Sequence, residues 1–559
     1  LATGVGAPTG GALAAWLEAG GAFVVGAMLQ ALASKAVATS AVVPKKPNVI
    51  SSAPRLRLSL TINSAPATRI SDGSITAAAV ADAPCRLRAA LLIPATPGVT
   101  GDLDGHEPSG SAGRIFADRL GAGGHLKRRP VNPFRRSAPM DSHRQALAAY
   151  DPRIEAAIAG EERRQTDGVE MIPSENYTYP EVLACLGSIL TNKYAEGYPG
   201  RRYYGGQEFT DIVERTARKR ATDLFRAEYA NVQPLSGSPM NQAVYFGVLT
   251  PGDTVLAMDL SHGGHLTHGA PVSHMGKVFN FVRYKTFPDQ GGAIDFDGLM
   301  QTAKATQPKM VLCGYSSYPR DYDYAAFKKV ADEVGAITMA DISHIGGLVA
   351  ADVMRNPFDA GFDIVTTTTH KTLRGPRGGL ILAKKSFQSI IDSAVFPGLQ
   401  GGPHMNNVAG AAVTFKKAGE PEFRAYAAQT LVNAKVLAQA LMDEGVHLIT
   451  GGTDNHMMVM DVVKSFGIDG REAQEALDSI GITANKQVIP DDPLPPVRPS
   501  GVRLGTPACT ARGMTADDMR RIAGWIVGVL RTPKDAAVVA RMRGESEELC
   551  RRYPVPGID

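Results

Sequence analysis

Beyond residue 150, short apolar runs rich in β-branched residues alternate with stretches of helical periodicity. Residues 255–260, 278–284, 310–315, 336–341, 364–368 and 380–383 read as strands, and 324–334 as one of the helices between them. Runs of this kind, bounded by turns and separated by helices, predict a mostly parallel, doubly wound sheet of the α/β class. Asp151-Pro152 predicts a helix start, with Asp as cap and Pro in the first turn. Residues 235–241 lead into an apolar helix at 243–249. Later the texture mixes: strands at 446–450, 456–462 and 501–504, and a helix near 471–480. This part predicts a smaller α+β domain. A final helix is expected after Thr515, with Asp518 in a capping-box position and Met519, Ile522, Ala523, Ile526 and Leu530 as its apolar stripe. There is no internal repeat.

The first 140 residues differ. They hold 15 Lys+Arg against 7 Asp+Glu, four aromatics (Trp16, Phe23, Phe116, Phe134) and no tyrosine, in a background of Gly, Ala, Pro and Ser. Such a segment buries too little apolar surface to offset its ordering entropy. Residues 1–140 are therefore expected to be a low-complexity extension, disordered or non-native. With Leu1 rather than Met at the start, three origins stay open: translated upstream sequence or a fragment, a native extension, or a targeting segment. The expected division is 1–140 extension, 141–425 N-terminal arm and large domain, and 426–559 small domain.

Composition excludes several classes. The 559 residues are 44% hydrophobic and 20% charged, ordinary for a globular protein, and a net charge of +4 gives no reason to invoke nucleic acid. Cys85, Cys185, Cys313, Cys509 and Cys550 are scattered without a CxxC pair, against a structural zinc site or disulfide framework and in keeping with a reducing, cytoplasmic compartment. The uncharged run between Glu18 and Lys35 has 16 residues. A spanning helix needs ~20, so no membrane role is expected.

The chemistry concentrates after strands. Thr366-Thr367-Thr368-Thr369-His370-Lys371 delivers one lysine from a strand end into a polar turn, and Gly375-Pro376-Arg377-Gly378-Gly379 then lets backbone approach a ligand. A lysine so held is a candidate Schiff-base former with a carbonyl cofactor. Upstream, Asp341 ends a strand. It reads as a turn cap or as the carboxylate that keeps a pyridine nitrogen protonated, with His344 placed to orient it. Ser236-Gly237-Ser238 offers N–H groups and hydroxyls to a phosphate. Three histidines in Ser261–Gly269 raise a metal site, but no acidic or Cys ligand lies nearby in sequence, so no metal is expected. Stacking of one imidazole on a cofactor ring is preferred. The Tyr194–Gly206 loop surrounds one carboxyl, Glu196, with tyrosines and glycines.

Taken together, Ile172-Pro173-Ser174-Glu175-Asn176, the Tyr194–Gly206 loop, His262–Gly269, Thr366–Lys371 and Ser500-Gly501-Val502-Arg503 resemble the serine hydroxymethyltransferase family over about residues 141–530. The resemblance implies a fold-type I pyridoxal-phosphate transferase, a homodimer or dimer of dimers with shared active sites. The implied reaction, part of one-carbon metabolism and amino-acid biosynthesis, interconverts L-serine plus tetrahydrofolate with glycine plus 5,10-methylenetetrahydrofolate. By motif, Lys371 would carry pyridoxal 5'-phosphate as an internal aldimine, Asp341 would bind its ring nitrogen and His265 would stack on the ring. Ser236, Gly237 and Ser238 would hold the phosphate, joined by Tyr194 and Gly402 from a partner subunit. Ser316 and His344 would contact the phenolic oxygen. Arg503 would clamp the substrate carboxylate beside Ser174, and Glu196 would shuttle protons near the substrate hydroxyl and folate. Tyr203, Tyr204, Leu260, Gly264 and Leu266 would line the folate and substrate pocket.

Three positions depart from the family pattern. Ile342-Ser343 replaces a common Met-Ala pair. Gln487 stands where an Asn commonly contacts the pterin, and Tyr318-Pro319-Arg320-Asp321 replaces a turn of small residues. Two other readings are weighed: another fold-type I enzyme, such as a threonine-type aldolase or an aminotransferase, and a non-enzymatic cofactor-binding scaffold. The folate-loop residues argue against the first. The joint presence of Lys371, Asp341, Glu196 and Arg503 argues against the second.

Overall fold

The structure, a computed structural model, describes residues 140–558, with side chains from residue 142. The expectation for the 1–140 extension lies outside the described residues. Seven strands form the large sheet: β1 (Tyr229–Asn231), β2 (Thr254–Met258), β3 (Asn280–Tyr284), β4 (Met310–Gly314), β5 (Ile337–Asp341), β6 (Ile364–Thr368) and β7 (Gly379–Ala383). Their spatial order is β1-β7-β6-β5-β4-β2-β3. Pairing is parallel from β6 through β3, while β7 runs antiparallel to both β6 and β1. This is the doubly wound, mostly parallel α/β sheet read from the sequence.

Alternation explains why the strands read as continuous apolar runs. In β4, Val311 and Cys313 join one core while Met310 and Leu312 join another; β7 splits Leu380 and Leu382 from Ile381 and Ala383 in the same way. A strand apolar on both faces must be covered on both. Phe225 and Phe327, from helices Glu208–Phe225 and Tyr324–Val334, cover one face. Met240 and Val244 of helix Gly237–Val248 cover the other.

The C-terminal part has the α+β texture expected of it. Its sheet contains β8 (Met457–Asp461), β9 (Asn485–Gln487) and β10 (Gly501–Gly505) in the antiparallel order β8-β10-β9. Its core includes Ile522 and Ile526 of helix Ala516–Arg531, and draws in Val169 and Met171 from far upstream. Helix Pro421–Asp443 serves both cores: Phe423, Tyr426 and Ala427 pack in the first, and Ala434, Leu437 and Leu441 in the second.

Local signals fare unevenly. Asp151 caps helix Pro152–Asp167 by accepting from the N–H groups of Arg153 and Ile154. Thr515 and Asp518 form the expected capping box, but the helix they open is not the last; Ala536–Arg552 follows, capped by Asp535. Residues 446–450 are not a strand. They make one isolated bridge, Leu448 to Met460, between Gly445 and Gly451, both at positive φ, which leaves too little extended chain to pair. The apolar helix expected at 243–249 starts earlier, at Gly237. Among the described residues no helix is long and apolar enough to cross a membrane.

Candidate active site

Parallel strands end on one edge of a sheet, and ligands of open α/β sheets bind at that edge. Asp341 is the last residue of β5, in register with Gly314 of β4 and Thr366 of β6. Lys371 follows β6, Ser316 follows β4 and the histidine loop follows β2. Topology alone thus gathers most of the residues singled out above.

Asp341 is buried, and both of its oxygens accept hydrogen bonds. Oδ2 accepts from Asn241 Nδ2 at 2.8 Å and from His268 Nε2 at 3.0 Å, and Oδ1 from the Ser343 N–H at 3.1 Å. Burial by itself would raise this carboxyl. The hydrogen bond from His268, with His265 and Ser343 behind it, instead holds it well below the ordinary carboxylate range. His268 Nδ1 accepts the His265 N–H at 3.1 Å, so its proton sits on Nε2, facing the carboxylate. Thr366 Oγ1 donates to Asn241 Oδ1 at 2.9 Å and fixes the amide orientation. Asn241 and His268 are partners of Asp341 that sequence reading missed. The signal for Asn241 was a polar residue early in an otherwise apolar helix, just past the Ser-Gly-Ser segment.

This arrangement corrects two expectations. His344 does not orient Asp341; its ring stacks on His456, with centroids 5.6 Å apart, and burial keeps both neutral. An acidic group does lie beside the histidines: ligand atoms of His265, His268 and Asp341 fall within 4.8 Å of one another. The sequence argument against a metal, that no acid was near, therefore fails. Two of those three groups are already bound to each other, and Asn241 donates to the same carboxylate oxygen.

Lys371 is half-buried, and no acceptor lies within hydrogen-bonding distance of Nζ among the described residues. Burial pushes it down to about 8, against the raising effect of Asp341. Its carbonyl accepts from Asn176 Nδ2 at 3.0 Å, which ties the turn to the segment that bears Ser174. His265 is neutral, lowered to about 4 by burial and by His268. Its Nδ1 meets Thr267 Oγ1 at 2.7 Å.

Arg503 lies at the centre of β10, 7% exposed, and points to the same place. Nε donates to Asn485 Oδ1 at 3.1 Å, and Nη1 to the carbonyl and hydroxyl of Ser316. Among the described residues no carboxylate pairs with it, and burial lowers it to about 10. Ser174 is half-buried in the segment beside β10, where the Gly505 N–H donates to the Met171 carbonyl at 2.7 Å.

The Ser-Gly-Ser segment is the N-terminus of helix Gly237–Val248, with Ser236 as cap and no side-chain bond closing it. A Cβ at Gly237 would sit 2.9 Å from Thr368 Cγ2, so only glycine lets this helix end meet the strand that leads to Lys371. Gly375 and Gly379 approach the chain's own backbone, at the carbonyls of Thr369 and Ser236. A half-buried lysine with an unpartnered amine, an ionised carboxylate at the strand end and an open helix N-terminus fit a pyridoxal phosphate ring and its phosphate.

A second group forms elsewhere on the chain. Gly402 lies against the Tyr194 ring and Glu196; Tyr194 and Tyr204 rings are 5.6 Å apart, and Tyr203 meets Phe396 at 5.6 Å. Tyr194, Tyr203 and Tyr204 are exposed. Among the described residues, no hydrogen bond, ion pair or ring contact joins Tyr194, Glu196, Tyr203, Tyr204 or Gly402 to Lys371, Asp341, His265 or Arg503. Leu260 and Leu266 are exposed in the histidine loop, with Gly264 buried between them. Gln487 is half-buried on β9, its amide donating to the Val488 carbonyl at 3.0 Å.

Comparison with known proteins bears on both groups. A family model described as serine hydroxymethyltransferase matches residues 147–526. The chain is 50% identical over 418 residues to a serine hydroxymethyltransferase of Alkalilimnicola ehrlichii, covering 74% of this chain and 99% of that protein. It is equally similar to those of Halorhodospira halophila, over 424 residues (75% and 100%), and Koribacter versatilis, over 411 residues (74% and 96%).

Proposed function

This chain belongs to the serine hydroxymethyltransferase family and has that transferase activity, and from that premise we propose how its residues divide the work. The reaction is the reversible conversion of L-serine and tetrahydrofolate to glycine and 5,10-methylenetetrahydrofolate. The observation that carries the reading is the unpartnered amine of Lys371, lowered to about 8, on the same sheet edge as the Asp341 carboxylate.

Pyridoxal phosphate, when bound, supplies an electron sink for charge developing at the substrate Cα. Lys371 would hold it covalently and would move protons at the substrate Cα. Asp341, ionised and fixed by His268 and Asn241, would keep the ring nitrogen protonated. Ser236, Gly237 and Ser238 would bind the phosphate, His265 would cover one face of the ring, and Ser316 and His344 would stand near the phenolic oxygen. Arg503, with Ser174, would bind the substrate carboxylate in place of the anion it lacks.

Glu196 would hold or move the proton of the serine hydroxyl. Tyr203, Tyr204, Leu260, Gly264, Leu266 and Gln487 would line the substrate and folate pocket. Since the Tyr194–Glu196–Gly402 group does not touch the Lys371 group within one chain, a second copy of this chain would bring it there, which supports a homodimer with shared sites. The division into 141–425 and 426–559 belongs to the same reading. Helix Pro421–Asp443 would link the two parts and let Arg503 approach Lys371.

The test is folate dependence. Purified protein given serine should release glycine much faster with tetrahydrofolate than without it. Equal rates, or preferred cleavage of a β-hydroxy amino acid without folate, would favour an aldolase.

A further inference from the structure

Glu196 stands at the mouth of a small hairpin. Gly197 and Tyr198 pair with Arg201 and Arg202, and the Tyr203 N–H donates to the Glu196 carbonyl at 3.1 Å. Gly197 has φ +91°, and a Cβ there would meet the Arg201 carbonyl, so the chain leaves Glu196 by a path open only to glycine. Behind this hairpin lies the most buried ionic group of the fold outside the Asp341 site. The Arg202 side chain is 3% exposed and Glu214 is 1% exposed.

The guanidinium engages four of its five N–H groups. Nη1 donates to the carbonyls of Ala195, at 2.7 Å, and Gly197, at 2.9 Å, the residues on either side of Glu196. Nε donates to Asp211 Oδ1 at 2.9 Å, and Nη2 to Glu214 Oε2 at 2.7 Å. Gln233 repeats the pattern, with Nε2 donating to the Gly197 carbonyl at 2.9 Å and to Glu214. Helix Glu208–Phe225, which carries both carboxylates, is thereby tied to the backbone that flanks one residue.

A buried ion pair is weak evidence for stability, because desolvation offsets much of its attraction. A planar fork spanning two carbonyls and two carboxylates does something a hydrophobic replacement cannot: it sets the direction of the chain between those carbonyls. We infer that Arg202 is a positioning residue for hydroxymethyl transfer, aiming the Glu196 carboxyl through the backbone on both sides of it. The inference rests on the proton-carrying role proposed for Glu196. Lysine keeps the charge but offers no fork, so it cannot hold both carbonyls and both carboxylates at once.

The experiment is a double-mutant cycle on the full chain: wild type, Arg202→Lys, Glu196→Gln and the double variant. It is assayed for serine and tetrahydrofolate turnover, with thermal midpoints recorded alongside. A displacement near 1 Å at a reacting group is enough for Arg202→Lys to lower kcat at least roughly tenfold. The KM for serine should stay within about twofold, the signature of an interaction made only in the transition state. In the Glu196→Gln background the same substitution should change kcat less than about twofold. An equal loss in both backgrounds, or no loss in the single variant, overturns the inference. Unchanged kcat in Glu196→Gln alone removes the role of Glu196, and the inference with it. If Arg202→Lys does not fold, Gln233→Met, which removes one donor to the Gly197 carbonyl, carries the cycle; it must show a smaller loss that again vanishes beside Glu196→Gln.

Discussion

His268 donates Nε2–H to the buried Asp341 carboxylate at 3.0 Å, across 73 residues of chain, and only the strand order brings the two together. His268→Ala should therefore cost about 1.5–3 kcal/mol, the range for a hydrogen bond to a charged group. The pH dependence carries the sign. Asp341 is held below its unfolded value of about 3.9, so its contribution is present above that pH and lost as pH falls through the folded value. Without His268 the raising effect of burial is less opposed and the folded value climbs. The gap in thermal midpoint between wild type and variant should be full near neutral pH and narrow as acid protonates the variant's Asp341, at a higher pH than in wild type. A gap independent of pH would mean that His268 acts by packing alone.

Lys371 gives a second pH signature. At pH 8 about half of an amine titrating near 8 is neutral. An ordinary lysine at about 10.4 would be neutral at well under one per cent. Incubation with pyridoxal phosphate followed by borohydride should label Lys371, and the labelling rate should climb through pH 8. Lys371→Ala should lose the label. A reduced adduct mapped to another lysine, or a rate still rising steeply beyond pH 9.5, would contradict the assignment.

The removal of residues 1–140 should leave turnover and thermal midpoint nearly unchanged. The family model begins at residue 147, and relatives are matched over 96–100% of their own lengths by about three quarters of this chain. Loss of folding in the truncated protein would show that the segment contributes to the core.

How much of this was legible depends on the kind of signal. Strand β6, at 364–368, and the helix at 324–334 stand in the sequence as they do in the fold, because an apolar run and a capped helix are local properties. The capping box at Thr515 is equally local. Asn241 and His268 were invisible as partners of Asp341, since their contact depends on which strands are neighbours. The strand expected at 446–450 failed for the opposite reason: its apolar pattern is real, and Val446 and Leu448 are buried, but no neighbouring strand pairs with it beyond a single bridge. Gly375 to Gly379 signalled close approach, and the carbonyls of Thr369 and Ser236 lie against Gly375 and Gly379; glycine reports crowding and not what crowds it.

The last prediction concerns Arg503. The Arg503 guanidinium is 7% exposed, among the described residues no carboxylate pairs with it, and its neighbours Asn485 and Ser316 supply only neutral acceptors. If it binds the amino-acid carboxylate through two charge-assisted bonds, each worth about 1.5–3 kcal/mol, Arg503→Ala should weaken serine and glycine binding by at least roughly tenfold to a hundredfold. Arg503→Lys should recover only part, because a point charge cannot reproduce the fork. Binding of pyridoxal phosphate should be unaffected in both, since Arg503 faces Ser316 and Asn485 rather than the Ser236–Ser238 helix end. A spectral titration of the cofactor-loaded protein with glycine and serine separates these outcomes. Unchanged amino-acid affinity in Arg503→Ala, with the cofactor still bound, would place the carboxylate elsewhere. The unpaired arginine would then need another anion to explain it.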